Sequence, residues 1–141
     1  MTVNRRRGAA ALLGLAMVGG AVQAVPGRKQ EKEALTQPKF YCNTKALNPS
    51  ERAHHKLLTD KLVAKRTRIV ETEKGYEFQY SPTTISLTEL ADWVAAESKC
   101  CPFFGFHIDL EDEGKLLCLR LTAEEGVKPF MREEFLVPSK S

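Results

Sequence analysis

The 141-residue chain contains no C-x-x-C and no H-x-x-x-H, the ligand spacings that mark a zinc finger or a dithiol redox centre. It has no G-x-G-x-x-G, no phosphate-binding loop and no G-x-S-x-G, so dinucleotide, nucleoside-triphosphate and serine-hydrolase chemistry find no sequence support. No helix-turn-helix pattern and no residue-level repeat occur. The chain is too short for a barrel enzyme or a complete two-halved dinucleotide fold. Its 43% hydrophobic and 28% charged residues are too balanced for disorder throughout. Surplus charge is also missing from the body. Arg5, Arg6 and Arg7 account for the whole formal charge of +3, and without them 18 basic residues face 18 acidic ones. A neutral body excludes a general nucleic-acid binder, which needs excess Lys and Arg to neutralise phosphates.

Residues 1–24 hold no acid. The three arginines are followed by a small-residue apolar run over residues 8–22, and Val22-Gln23-Ala24 has the small-x-Ala form of a cleavage site. This predicts an export signal cut before Val25. The run falls short of the ~20 apolar residues that span a bilayer, so no membrane association is expected once the signal is removed. The arginine pair is of twin-arginine type, but Gly8 and Ala9 stand where a bulky apolar residue is usual, so the general secretory route stays open. The expected location is periplasmic or secreted. Residues 25–38, with Pro26, Gly27 and Pro38 among charged residues, read as a flexible leader, and residues 39–137 as a single domain.

Within that domain, residues 39–43 suggest a short strand carrying Cys42. Asn48-Pro49-Ser50-Glu51 has the form of a helix start with a capping box, and Leu57, Leu58, Leu62 and Val63 carry the helix to about Arg66. Residues 67–73 and 76–81 are strand-like and meet at Lys74-Gly75. Ser86-Leu87-Thr88-Glu89 opens a second helix, which Pro102 stops near Cys100. Phe106, Ile108 and Leu110 then alternate against Leu117, Leu119 and Leu121. A turn at Glu113-Gly114 brings their apolar faces into one register. Residues 124–135 predict a last helix. The expected fold is α+β: two helix–hairpin (αββ) units forming a four-stranded antiparallel sheet with helices packed on one face, plus a C-terminal helix. Residues 28–74 carry 12 basic and 6 acidic residues, and residues 75–141 the reverse. This split fits halves that face each other across the fold. The other reading is head-to-tail self-association, and an unknown protein partner is also open.

The chemistry lies in four cysteines, Cys42, Cys100, Cys101 and Cys118. An exported protein meets an oxidising compartment where disulfides persist, and four cysteines allow three pairings. Neighbours Cys100 and Cys101 are too close in sequence to bond each other without strain. On a helix they point about 100° apart. Cys101 continues the stripe of Leu90 and Val94, and Cys100 follows Trp93. Both sit at a helix C-terminus, where the dipole opposes thiolate formation, so a highly activated nucleophile is not expected. A soft ion such as copper(I), zinc or mercury(II) overcomes that by displacing the thiol proton. Cys42 precedes the first helix and can reach the pair. His54 and His55 lie on that helix and read as solvated or core-edge residues. Cys118 is expected to face away from the apolar side, beside His107 or Asp109.

The segment Glu97-Ser98-Lys99-Cys100-Cys101-Pro102-Phe103-Phe104-Gly105-Phe106 resembles the motif of a small uncharacterised bacterial domain family: Glu, two variable residues, Cys-Cys, Pro or a small residue, then Phe-x-x-Phe. Similar segments form the tails of some mercury-type metal-responsive regulators. The likeness runs from about Cys42, through Ser50-Glu51-Arg52, to Gly126-Val127-Lys128-Pro129-Phe130 and Phe135. It implies thiol or soft-metal handling at Cys100, Cys101 and Cys42. The export signal and the missing helix-turn-helix set this chain apart from a cytosolic regulator. Three readings follow. The first is an exported soft-metal or thiol-ligand binder using Cys42, Cys100 and Cys101, without catalysis. The second is a structural domain stapled by Cys42 to Cys100 or Cys101. The third is a thiol–disulfide redox protein in which Cys100 attacks.

Overall fold

Two capping boxes set where the helices begin. The computed structural model describes residues 19–20 and 38–139. The segments expected to be an export signal and a leader therefore lie outside the described residues, apart from residues 19, 20 and 38. Helix α1 (Pro49–Lys65) starts where the Asn48 side chain accepts from the Glu51 backbone N–H and Glu51 Oε2 accepts from the Asn48 N–H, both at 2.9 Å. Helix α2 (Leu87–Cys100) repeats the device with Ser86 and Glu89 at 3.2 and 3.0 Å. Each box satisfies two of the N–H groups that a helix start leaves without partners.

The strands are β1 (Arg68–Thr72), β2 (Gly75–Tyr80), β3 (Gly105–Glu111) and β4 (Leu116–Thr122). They form one antiparallel sheet in the order β1-β2-β4-β3. Each helix–hairpin unit contributes one hairpin, and the two join through β2 and β4. The β3–β4 register pairs Leu110 with Leu117, Ile108 with Leu119 and Phe106 with Leu121, as the alternation of apolar residues requires. Tyr76, Phe78 and Tyr80 extend that face across β2 and are buried. The helices cover this face. Trp93 packs edge-on against Phe106 and Phe135, and its indole N–H donates to Thr59 Oγ1 at 2.9 Å.

Three expectations shift at the edges. Residues 39–43 form no strand. Asn43 instead caps a short 3-10 turn (Thr44–Ala46) by accepting from the Lys45 N–H. The last helix, α3 (Val127–Glu134), begins three residues later than the pattern suggests, because Gly126 at its N-cap takes φ of 89°. Leu57 of the proposed α1 stripe is exposed, and Leu58 and Leu62 carry the burial.

Both capping carboxylates also hold a cross-helix ion pair: Glu51 with Lys99 at 2.9 Å, and Glu89 with Lys61. The Lys99 contact and the Asn48 N–H hold Glu51 below its usual range, and the Lys61 contact and the Ser86 N–H hold Glu89 down to about 2. A carboxyl depressed in the folded state stabilises it above the unfolded pKa, and that contribution fades as pH falls toward the folded one. Stability is therefore expected to decline from pH about 4.5 to about 2, with Glu89 acting over the whole interval. Urea melts across that range check it. A Glu89→Gln chain should show a shallower acid decline, and an unchanged slope would contradict the assignment.

Candidate metal centre

Helix α2 turns Leu90, Trp93, Glu97 and Cys100 inward, at spacings of three, four and three. The stripe is apolar except at Glu97. That residue is 3% exposed, the single buried charged residue among the described ones. A buried carboxylate must find partners or it destabilises the fold. Glu97 finds them from two other parts of the chain.

From α1, His55 Nε2 lies 2.7 Å from Glu97 Oε2. The His55 side chain is 12% exposed, and its ring packs on Trp93 at 5.7 Å between centroids. With Nε2–H committed to the carboxylate, the other ring nitrogen faces inward. His55 Nδ1 is buried and has no hydrogen-bond partner. His54, one residue earlier, is exposed.

The cysteines supply the rest. Cys42 and Cys101 form a disulfide with Cα atoms 4.8 Å apart, tying the segment before α1 to the C-cap of α2. The Asn43 N–H also donates to the Cys100 carbonyl at 2.8 Å, which takes up a free carbonyl at the helix end. This bond replaces the strand expected there. Cys42 Sγ contacts Glu97 Oε1 at 3.9 Å, a packing contact because a bonded sulfur carries no proton. Cys100 remains a free, buried thiol. It donates toward Glu97 Oε2 at 3.7 Å and lies 3.5 Å from the Glu97 carbonyl. Burial, the Glu97 charge and the hydrogen bond to Glu97 push the thiol up to about 11. The direction agrees with its place at a helix C-terminus.

Glu134, at the end of α3, faces the same group from the rim. Burial and the Glu97 charge raise its carboxyl, and His55 partly offsets them. The donors fall into two overlapping sets around Glu97: Cys42, Glu97 and Cys101, and His55, Glu97 and Cys100. Within each set the ligand atoms lie within 4.8 Å of one another. Either can hold a metal ion. The second has its donors available with the disulfide intact. The first offers its sulfurs as thiolates only when the disulfide is reduced.

The structure thus brings together all three cysteines singled out from sequence and adds Glu97 and His55. Glu97 was visible as the charged residue inside the helical stripe Leu90–Trp93–Cys100. His55 was visible only as one of two adjacent histidines, and nothing local says which one turns inward. Cys118 stays apart. It lies on the opposite sheet face, paired with Asp109, while His107 pairs with Arg120. Burial and the charges of Glu77 and Glu111 push its thiol up to about 11.

No protein-family model, curated protein or solved structure matches this chain.

Proposed function

We propose that this chain is a small exported binding protein for a soft metal ion, of the class of copper(I), zinc or mercury(II), held by the thiolates of Cys42, Cys100 and Cys101 around Glu97. One observation carries the reading. Sulfurs from two segments far apart in sequence meet on a single buried carboxylate, which a histidine from a third also contacts. Thiolate and imidazole together favour borderline-to-soft ions over calcium or magnesium. An ion there displaces the Cys100 proton and neutralises charge that is otherwise costly to bury. The Cys100 thiol is buried and pushed up to about 11, the opposite of an activated nucleophile, so binding is favoured over catalysis.

The Cys42–Cys101 bond favours a second reading, in which the cluster is a structural staple. Native mass spectrometry of the reduced chain, with and without thiol alkylation, separates the two. The metal reading expects one bound zinc ion that protects Cys100 from alkylation. It also expects Cys100→Ser to weaken binding by at least about tenfold, through loss of one thiolate. Serine fits the same space and can still donate to Glu97, so the variant should fold. A reduced chain that takes up no ion, with Cys100 unprotected, would leave only the staple.

A further inference from the structure

We infer that the Cys42–Cys101 disulfide and the metal ion are alternative occupants of the same two sulfurs, so that reduction of the bond tightens the hold on the ion and oxidation weakens it. This rests on the metal-binding reading above. It adds that the donors are switched by electrons: His55, Glu97 and Cys100 are available in the oxidised chain, and the set of Cys42, Glu97 and Cys101 joins them at Glu97 only in the reduced one.

The switch depends on where Cys42 goes when its bond is cut. If the disulfide alone held the segment, reduction would free it and scatter the donors. The structure holds the segment on both sides of Cys42 without the bond. Upstream, the Phe40 ring packs on Phe103 and Phe130, at 5.3 and 6.4 Å between centroids. Immediately downstream, the Asn43 N–H donates to the Cys100 carbonyl. Further on, Leu47 is 1% exposed in the core. Arg52 of α1 donates to the carbonyls of Thr44 at 3.2 Å and Leu47 at 2.9 Å. Cys101 is fixed as the helix cap, its N–H donating to the Glu97 carbonyl at 2.7 Å. Reduction therefore separates two sulfurs whose backbones stay in place, and leaves three thiols gathered beside Glu97.

In the loaded, reduced chain the Cys42 and Cys101 thiolates each give up one electron and form the S–S bond between them. The disulfide bond of a small-molecule oxidant breaks, and its two sulfurs take the two electrons and two protons from the solvent. The metal ion leaves in its original oxidation state. Loading is the reverse, with a dithiol as reductant.

The test uses the full chain and cadmium(II), a redox-inert soft ion whose bonds to thiolate absorb in the ultraviolet. Cadmium affinity is measured for the oxidised chain, the reduced chain and the Cys42→Ser/Cys101→Ser chain, with near-ultraviolet circular dichroism as the check on folding. The reduced chain should stay folded and bind one ion at least about a hundredfold more tightly than either of the others, since it alone offers two further thiolates. Excess oxidised glutathione should then release the ion from it. Equal affinity in the oxidised and reduced chains, with loss on Cys100→Ser, would overturn the switch and confine the metal reading to His55, Glu97 and Cys100. Unfolding on reduction would overturn the switch through its structural premise. Absence of cadmium binding in every form would remove the metal reading and the switch together.

Discussion

Replacing Glu97 with alanine is expected to lower stability by about 1–3 kcal/mol, the range for leaving a buried hydrogen-bonding group without its partner. The carboxylate accepts from His55 Nε2 at 2.7 Å and from the Cys100 thiol at 3.7 Å, and it packs against Cys42. Alanine leaves the His55 donor without its acceptor and opens a void between α1 and α2, while the Cys100 thiol keeps the backbone carbonyls of residues 96 and 97. The better helix propensity of alanine returns only tenths of a kcal/mol. Glu97→Gln separates charge from shape. It keeps the volume and one acceptor oxygen, so its cost should be well below that of alanine. Removing the negative charge should also bring the Cys100 thiol down from about 11, with burial still holding it above its ordinary value. Urea melts of both variants, with alkylation of Cys100 followed against pH, check the two parts. Alanine and wild type melting alike would mean that Glu97 organises nothing.

Loss of the Cys42–Cys101 bond is the second large effect. The bond closes a loop with a sequence separation of 59. In the chain-entropy model a loop of that size confers about 4 kcal/mol. For a domain of this size that corresponds to a fall of at least about 15 °C in Tm. It is a large share of the ~5–15 kcal/mol by which small domains are stable, yet it leaves a folded majority. The contacts of Phe40, Asn43 and Leu47 on either side of Cys42 point the same way. Calorimetry of the Cys42→Ala/Cys101→Ala chain should show a lower, still cooperative transition. A shift under about 1 kcal/mol would mean the open chain is already held close by other contacts, against the entropic account.

Much of the fold was legible because its signals are local and repeated. Each capping box is a four-residue pattern that fixes a helix start. The alternation in β3 and β4 admits one register in which Phe106, Ile108 and Leu110 share a face with Leu117, Leu119 and Leu121. The segment around Cys42 was misread as a strand because its backbone partner is the Cys100 carbonyl, 57 residues away, and no neighbouring strand. The same distance in sequence hid the choice of disulfide. Cys100 and Cys101 are equivalent by spacing. The geometry that turns Cys101 toward Cys42 comes from its place as the cap, where φ of −124° and ψ of 66° leave the helix. At the site, sequence pointed to the sulfurs and missed the carboxylate that organises them. A glutamate on a helix is solvent-facing by default, and only the full stripe of α2 shows Glu97 inside. His55 could be told from His54 only once α1 was laid against Trp93.

The most direct measurement of the central claim is X-ray absorption of the reduced chain loaded with one equivalent of zinc. Sulfur and lighter ligands give separate distances, with Zn–S near ~2.3 Å and Zn–N or Zn–O near ~2.0–2.2 Å. A metal held by Cys42, Cys100 and Cys101 predicts a dominant sulfur shell, smaller in the Cys100→Ser chain. A spectrum with only nitrogen and oxygen neighbours would contradict a thiolate site at this cluster.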